Sequence, residues 1–129
     1  MADGYRGNGH GYWDDRVQAA AIAALDHADP EDVIDAAQAL GRYASAAAKA
    51  PLLDRLARWS EEWRGRVVDL DARRSGPTRA PDILEYHVST ALFDNKAFAL
   101  TRDDAARILS LCVTDRCRMD VDGRALAIK

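Results

Sequence analysis

The sequence predicts an all-α fold: five helices in an irregular bundle or short α-α superhelix, closed by a small C-terminal β-hairpin or irregular tail. Three observations lead there. Alanine takes 25 of the 129 positions and arginine 15 of the 18 basic ones, and both residues are strong helix formers. Val, Ile, Thr and aromatic residues, which favour strands, are thin over the first hundred positions. Apolar residues recur at three- and four-residue spacing through most of the chain, the mark of amphipathic helices.

Length and composition bound the problem. A chain of 129 residues fits one domain and buries enough surface to hold a core without disulfides or metals. Residues 1–12 are expected to form a flexible glycine-rich arm and 13–129 a single helical domain, because Gly4, Gly7, Gly9 and Gly11 are half of the 8 glycines. With 48% hydrophobic and 30% charged residues the chain is neither wholly disordered nor a membrane protein. No charged segment followed by an apolar one opens it, so a cytoplasmic location is expected. A net charge of −3 and pI near 5.5 oppose an overall electrostatic grip on nucleic acid. The arginine excess suits recognition of carboxylate or phosphate, but acids are interleaved with nearly every arginine, as on solvated helix faces.

Each element has its own signals. The first helix is expected over 14–28, with Val17, Ala20, Ala21, Ala24 and Leu25 on its apolar face and Asp14 and Asp15 at its positive end. Asp29-Pro30-Glu31-Asp32 starts the second, with a capping carboxylate, a proline at the first helical position and two acids. That helix should bury Val33, Ile34, Ala37, Leu40, Ala44 and Ala47, its small residues admitting a close neighbour, and Pro51 should break it. A third, from about Pro51 to Arg74 and roughly 36 Å long, carries Leu52, Leu56, Trp59, Trp63 and Leu70 in one seam, with Val67 displaced. Ser75-Gly76-Pro77-Thr78 ends it. The fourth begins near Pro81-Asp82 and holds Ile83, Leu84, His87, Val88 and Ala91, and Phe93-Asp94-Asn95-Lys96 reads as a turn. Thr101-Arg102-Asp103-Asp104 reads as a capping box for the fifth, whose face is Ala105, Ile108, Leu109 and Cys112. Residues 119–126 alternate around Asp122-Gly123, the preferred dipeptide of a type I′ hairpin.

Catalytic and metal patterns are not found. His10, His27 and His87 share no short spacing, and Cys112 and Cys117, five apart, fall on different helix faces with no second pair for zinc. Cys112 reads as a small buried hydrophobe. Asp120-Val121-Asp122-Gly123 suggests the middle of a calcium loop, but that register puts Arg118 and Lys129 at its first and twelfth ligands. There is no P-loop and no nucleophile elbow. The pairs Glu61-Glu62 and Asp103-Asp104 are adjacent and diverge on a helix, while Glu85 and His87 would meet only in an unusual geometry. No enzyme activity, metal or cofactor is expected.

Two stretches carry a resemblance. Asp29 to Gly41, with Asp-Pro, then Val33, the pair Ala36-Ala37 and the closing Ala39-Leu40-Gly41, resembles the core of a HEAT-type repeat, with Ile34 where that family usually has Arg. Ala50-Pro51-Leu52-Leu53-Asp54-Arg55-Leu56 is similar to such a unit's second helix. The resemblance implies either a degenerate repeat protein or a bundle holding a convergent helical hairpin, and HEAT-like units present rows of helices to protein partners. Leu100 to Leu109 is similar to the opening of excisionase-type helix-turn-helix domains, with Gly123-Arg124 where their wing begins. The second helix would then turn Asp115, Asp120 and Asp122 toward phosphates, which would repel them, so DNA binding through 100–129 ranks as the alternative and not as the leading reading.

The leading expectation is a non-enzymatic interaction module, whether scaffold, adaptor or inhibitor-type partner, that binds another protein through a helical face. Its partner-binding residues are expected at Tyr12 and Trp13, at the root of the arm, and at Arg73, Arg74 and Arg79 around the Ser75-Gly76-Pro77 break. Loops carry residues not committed to packing, and Trp and Arg are over-represented among interface hot spots.

Overall fold

The fourth helix of the sequence carries apolar or small residues on more than one face, and it becomes the shared partner of three others. The computed structural model describes residues 13–65 and 81–128, for 81–83 the backbone alone. Within them lie six α-helices: α1 (Asp15–Ala24), α2 (Pro30–Tyr43), α3 (Lys49–Trp63), α4 (Pro81–Asp94), α5 (Arg102–Leu111) and α6 (Asp115–Ala125), with short 3-10 turns at Ala46–Ala48 and Lys96–Phe98. Helix α4 packs most heavily on α2 and also on α3 and α6, while α1 lies on α2, and α5 lies on α3 and α6. The all-α class holds. The helix count exceeds the five expected, because residues 115–125 form α6 in place of the hairpin.

The hairpin expectation failed on one competing signal. Thr114 is extended and accepts from Cys117 N–H at 3.1 Å, an N-cap that starts a helix ahead of the Asp-Gly step. Val121 then buries fully, and Gly123 lies in the helix interior with a negative φ. Asp120 and Asp94 both take the Arg124 guanidinium, at 3.1 and 2.8 Å, which fastens the helix to the end of α4.

Other boundaries moved for equally local reasons. Helix α1 ends at Ala24, short of the expected 28; it half-buries Gln18, Ala21, Ile22 and Ala24, its C-cap Leu25 is buried, and the expected Val17 and Ala20 are exposed. Gln18 sits on that face because it serves Ser45, accepting from its N–H at 2.9 Å and donating to its Oγ at 2.8 Å. Helix α2 stops at Tyr43, since Asn95 Nδ2 takes the carbonyls of Leu40 and Ala44 at 2.8 and 2.9 Å. The 3-10 turn that follows buries Ala48, and Ala47 is exposed. Pro51 lies within the first turn of α3, where the missing N–H is tolerated. That helix does not run on to Arg74: Arg64 leaves it with ψ 130°, and Gly65 takes φ +85°. The remainder of the expected helix, with Val67 and Leu70, and the Ser75-Gly76-Pro77-Thr78 break lie outside the described residues.

The expected core is largely present. Val33, Ile34, Ala37, Leu40, Leu52, Leu56, Trp59, Leu84, Val88, Ala91, Ala105, Ile108 and Cys112 are all buried. A fully buried Leu, Ile, Val or aromatic side chain contributes about 1.5–3 kcal/mol. The small residues of α2 admit a close neighbour as expected, and it is α4: a Cβ built at Gly41 would lie 2.9 Å from Ala91 Cα. Both expected caps form, Asp29 accepting from Glu31 N–H at 2.9 Å and Thr101 exchanging bonds with Asp104 in a capping box. None of the described helices is long and apolar enough to cross a membrane.

Candidate functional site

Of the residues expected to bind a partner, Trp13 alone is described; Tyr12, Arg73, Arg74 and Arg79 lie outside the described residues. Trp13 is half-buried on the body. Its indole N–H donates to Gln18 Oε1 at 3.1 Å, and its ring lies 5.5 Å from that of Tyr43. Trp59 is buried and stacks on the half-buried Trp63 at 5.5 Å, as a core seam requires.

The most unusual chemistry lies inside, where α3 and α4 meet the corner between α5 and α6. Glu85 is fully buried. Its Oε2 accepts from the Trp59 indole at 2.9 Å, from Val113 N–H at 2.6 Å and from Thr114 N–H at 3.4 Å, while Oε1 accepts from Thr114 Oγ at 2.5 Å. A carboxylate so supplied is compatible with burial, because every strong acceptor is used. The same anion satisfies the backbone donors that the α5–α6 corner would otherwise leave orphaned.

Beside it stand the two cysteines, both free and both buried. A spacing of five puts them on different helix faces, but that holds only where one helix runs unbroken through both. Here the backbone leaves α5 at Cys112 (φ −66°, ψ 133°) and re-enters a helix at Asp115, and the corner brings the two Sγ atoms to 2.6 Å. Cys112 also donates to Ile108 O at 3.4 Å, and Cys117 lies 3.9 Å from Ser89 Oγ. The bond with Cys112, then burial, then the charge of Glu85 push the Cys117 thiol well above its ordinary range. Sequence reasoning missed Glu85 and Ser89 as members of a cluster; the available signal was an acid and a serine four apart, each next to an apolar position of the helix face, Leu84 and Val88.

Three grooves lie among the described residues. One, about 540 Å³, runs between α1 and α3, with Ile22, Pro51 and Ala57 half-buried along it and Asp26, Asp54 and Glu61 exposed at its rim. Its walls are tied by Arg55 Nε donating to Leu25 O at 3.0 Å and by the Arg58–Asp26 ion pair at 2.5 Å. Neither Asp54 nor Glu61 has an ion-pair partner among the described residues, so Asp26, Asp54 and Glu61 outnumber Arg55 and Arg58 around the groove by one charge. A second, about 380 Å³, lies between α5 and α6 along Ala105, Ala106, Leu109, Ala125 and Leu126. The third, about 210 Å³, crosses α2 and α4 near Gln38 and His87.

Among the described residues no group of three or more His, Cys, Asp or Glu side chains is arranged to hold a metal ion. No family model, curated protein or solved structure matches this chain.

Proposed function

We propose that the protein is a non-enzymatic interaction module, of the scaffold, adaptor or inhibitor type, that takes a basic segment of another protein into the groove between α1 and α3. The observation that supports this reading is the groove itself: an apolar floor rimmed by Asp54 and Glu61, two exposed carboxylates without cationic partners among the described residues. Carboxylates held open at a groove's edge favour Lys or Arg from a partner and speed its encounter. The likeness of Asp29 to Gly41 to a HEAT-type unit belongs to the same reading, as does the resulting expectation of a protein partner. Tyr12, Trp13, Arg73, Arg74 and Arg79 remain proposed contributors to the interface.

The test compares the wild-type chain with the double variant Asp54→Arg, Glu61→Arg in capture from the native host, with partners identified by mass spectrometry. Both positions are exposed, so each change should alter stability by only about 0.5 kcal/mol. A captured protein with a Lys- or Arg-rich contact segment, held roughly tenfold or more weakly by the variant and weakened by salt, is the expected result. A partner held equally by both proteins overturns this site. Small-molecule turnover with no partner overturns the reading.

One observation favours a second reading. Helices α5 and α6 are joined by three residues, the connection found in helix-turn-helix units. On α6, however, Arg118 is paired with Asp115 at 2.5 Å and Arg124 with Asp120 and Asp94, so these two cations are engaged within the chain. A salt-sensitive shift of duplex DNA, with a slope implying several phosphate contacts, would promote this alternative.

A further inference from the structure

Two thiols become a redox pair only when the chain holds both sulfurs within reach of one bond. The corner between α5 and α6 does this with Cys112 and Cys117. Cys112 ends one helix and Cys117 lies in the first turn of the next, and their Sγ atoms stand 2.6 Å apart. A disulfide joins its sulfurs at about 2.05 Å, and the corner holds this pair as immediate neighbours, within reach of that bond. The corner is braced on both sides of the pair. Glu85 accepts from Val113 N–H and from both donors of Thr114, and Thr114 Oγ accepts from Cys117 N–H at 3.1 Å. These contacts hold the intervening backbone, so the sulfurs are neighbours by construction and not by side-chain chance.

We propose that Cys112 and Cys117 form a reversible redox site, closed into an intramolecular disulfide by exchange with a small-molecule disulfide such as oxidised glutathione. This assignment is independent of the groove between α1 and α3. In the first step one cysteine thiolate attacks a glutathione sulfur and expels a glutathione thiolate, which takes up a proton. In the second, the other cysteine, losing its proton, attacks the protein-bound sulfur and expels the second glutathione. The protein loses two electrons and two protons, and one glutathione disulfide becomes two thiols. Cys112 is 1% and Cys117 5% exposed, and the neighbouring Glu85 carboxylate opposes a thiolate. Exchange therefore waits on transient opening of the corner, and the site responds slowly while its equilibrium favours the closed bond.

Because access sets the rate, the decisive measurement is an equilibrium. The full chain is brought to equilibrium in glutathione redox buffers from the reduced and the oxidised side, folded and in concentrated urea, then alkylated and weighed. The folded chain should form the bond at an effective thiol concentration about tenfold or more above that of the unfolded chain. It should also lose two hydrogens in intact mass and run as a monomer without reductant. Trypsin cleaves after Arg116, between the two cysteines, so the denatured oxidised product should yield two fragments joined by one disulfide. An effective concentration equal to or below that of the unfolded chain overturns the proposal, as do linked dimers or a lasting glutathione adduct as the main product.

Discussion

Helix α4 faces two neighbours that are held in opposite ways. Toward α2 it presents His87 and Ala91, with Asn95 four residues on, just past its last residue; toward α3 and the α5–α6 corner it presents Glu85 and Ser89. The first contact is set by shape. Gly41 lies against Ala91 so closely that an added Cβ would meet the Ala91 backbone at 2.9 Å, and Asn95 closes the end of the interface by taking two α2 carbonyls. The second is set by one anion, whose two oxygens receive four donors from α3 and from the corner. An apolar contact tolerates rotation and punishes added volume. A hydrogen-bonded one tolerates small changes of volume and punishes the loss of a partner, because orphaned donors lose water without replacement.

The sharpest way to break the polar side is Glu85→Ala. It removes the acceptor of Trp59, Val113 and Thr114 together, and should lower unfolding free energy in urea by about 3–5 kcal/mol. A loss below about 1 kcal/mol would mean that the corner does not depend on the carboxylate. The apolar side is probed by Gly41→Ala. Helix propensity alone makes this change stabilising by about 1 kcal/mol. The contact with Ala91 backbone reverses the sign, and a destabilisation of about 1–3 kcal/mol is expected. A gain in stability would show that α2 and α4 can move apart freely.

A smaller effect sharpens the comparison at the surface, where a charge pair acts with water nearby. Lys49 Nζ lies 2.7 Å from Asp104 Oδ2 and ties the start of α3 to the capping box of α5. The hydrogen bond from Lys49, followed by the Thr101 backbone, holds the Asp104 carboxyl below its ordinary range. A carboxyl depressed in the folded chain stabilises above its unfolded pKa, near 3.9, and loses that contribution as pH falls through the folded value. The stability difference between wild type and Lys49→Met should therefore be constant near neutrality and shrink below about pH 4. Urea titrations across that range measure it; a difference that grows on acidification would contradict the assignment.

Much of this architecture could be read one residue at a time. The cap at Asp29, the capping box at Thr101-Asp104 and the buried seam Leu52, Leu56, Trp59 rest on hydrogen bonds and periodicities that span four residues or fewer. Misreadings fell where distant groups intervene. Ala47 was expected to be buried and is not, because Asn95, 51 residues beyond Ala44, ends α2 early. Asp122-Gly123 was expected to turn a hairpin, but the Thr114 cap and the Arg124 pairing with Asp94 hold it in a helix. Cys112 and Cys117 were placed on different faces by a spacing rule that applies only without the intervening corner. Of the expected partner-binding residues, Trp13 is seen to dock on the body through Gln18 and Tyr43.

By itself the sequence determined the all-α class, where most helices start and most of the buried apolar residues, since these follow from propensity, capping and repeat spacing along one chain. Tertiary structure decided where α2, α3 and α5 stop, which side of α1 is covered, and that a carboxylate, a tryptophan and two thiols share one interior site. The physical reason is distance. A helix terminus or a buried acid is stable only if its unsatisfied groups find partners, and for Glu85 those partners lie 26, 28 and 29 residues away. No local pattern encodes contacts that exist only after the chain has folded back upon itself.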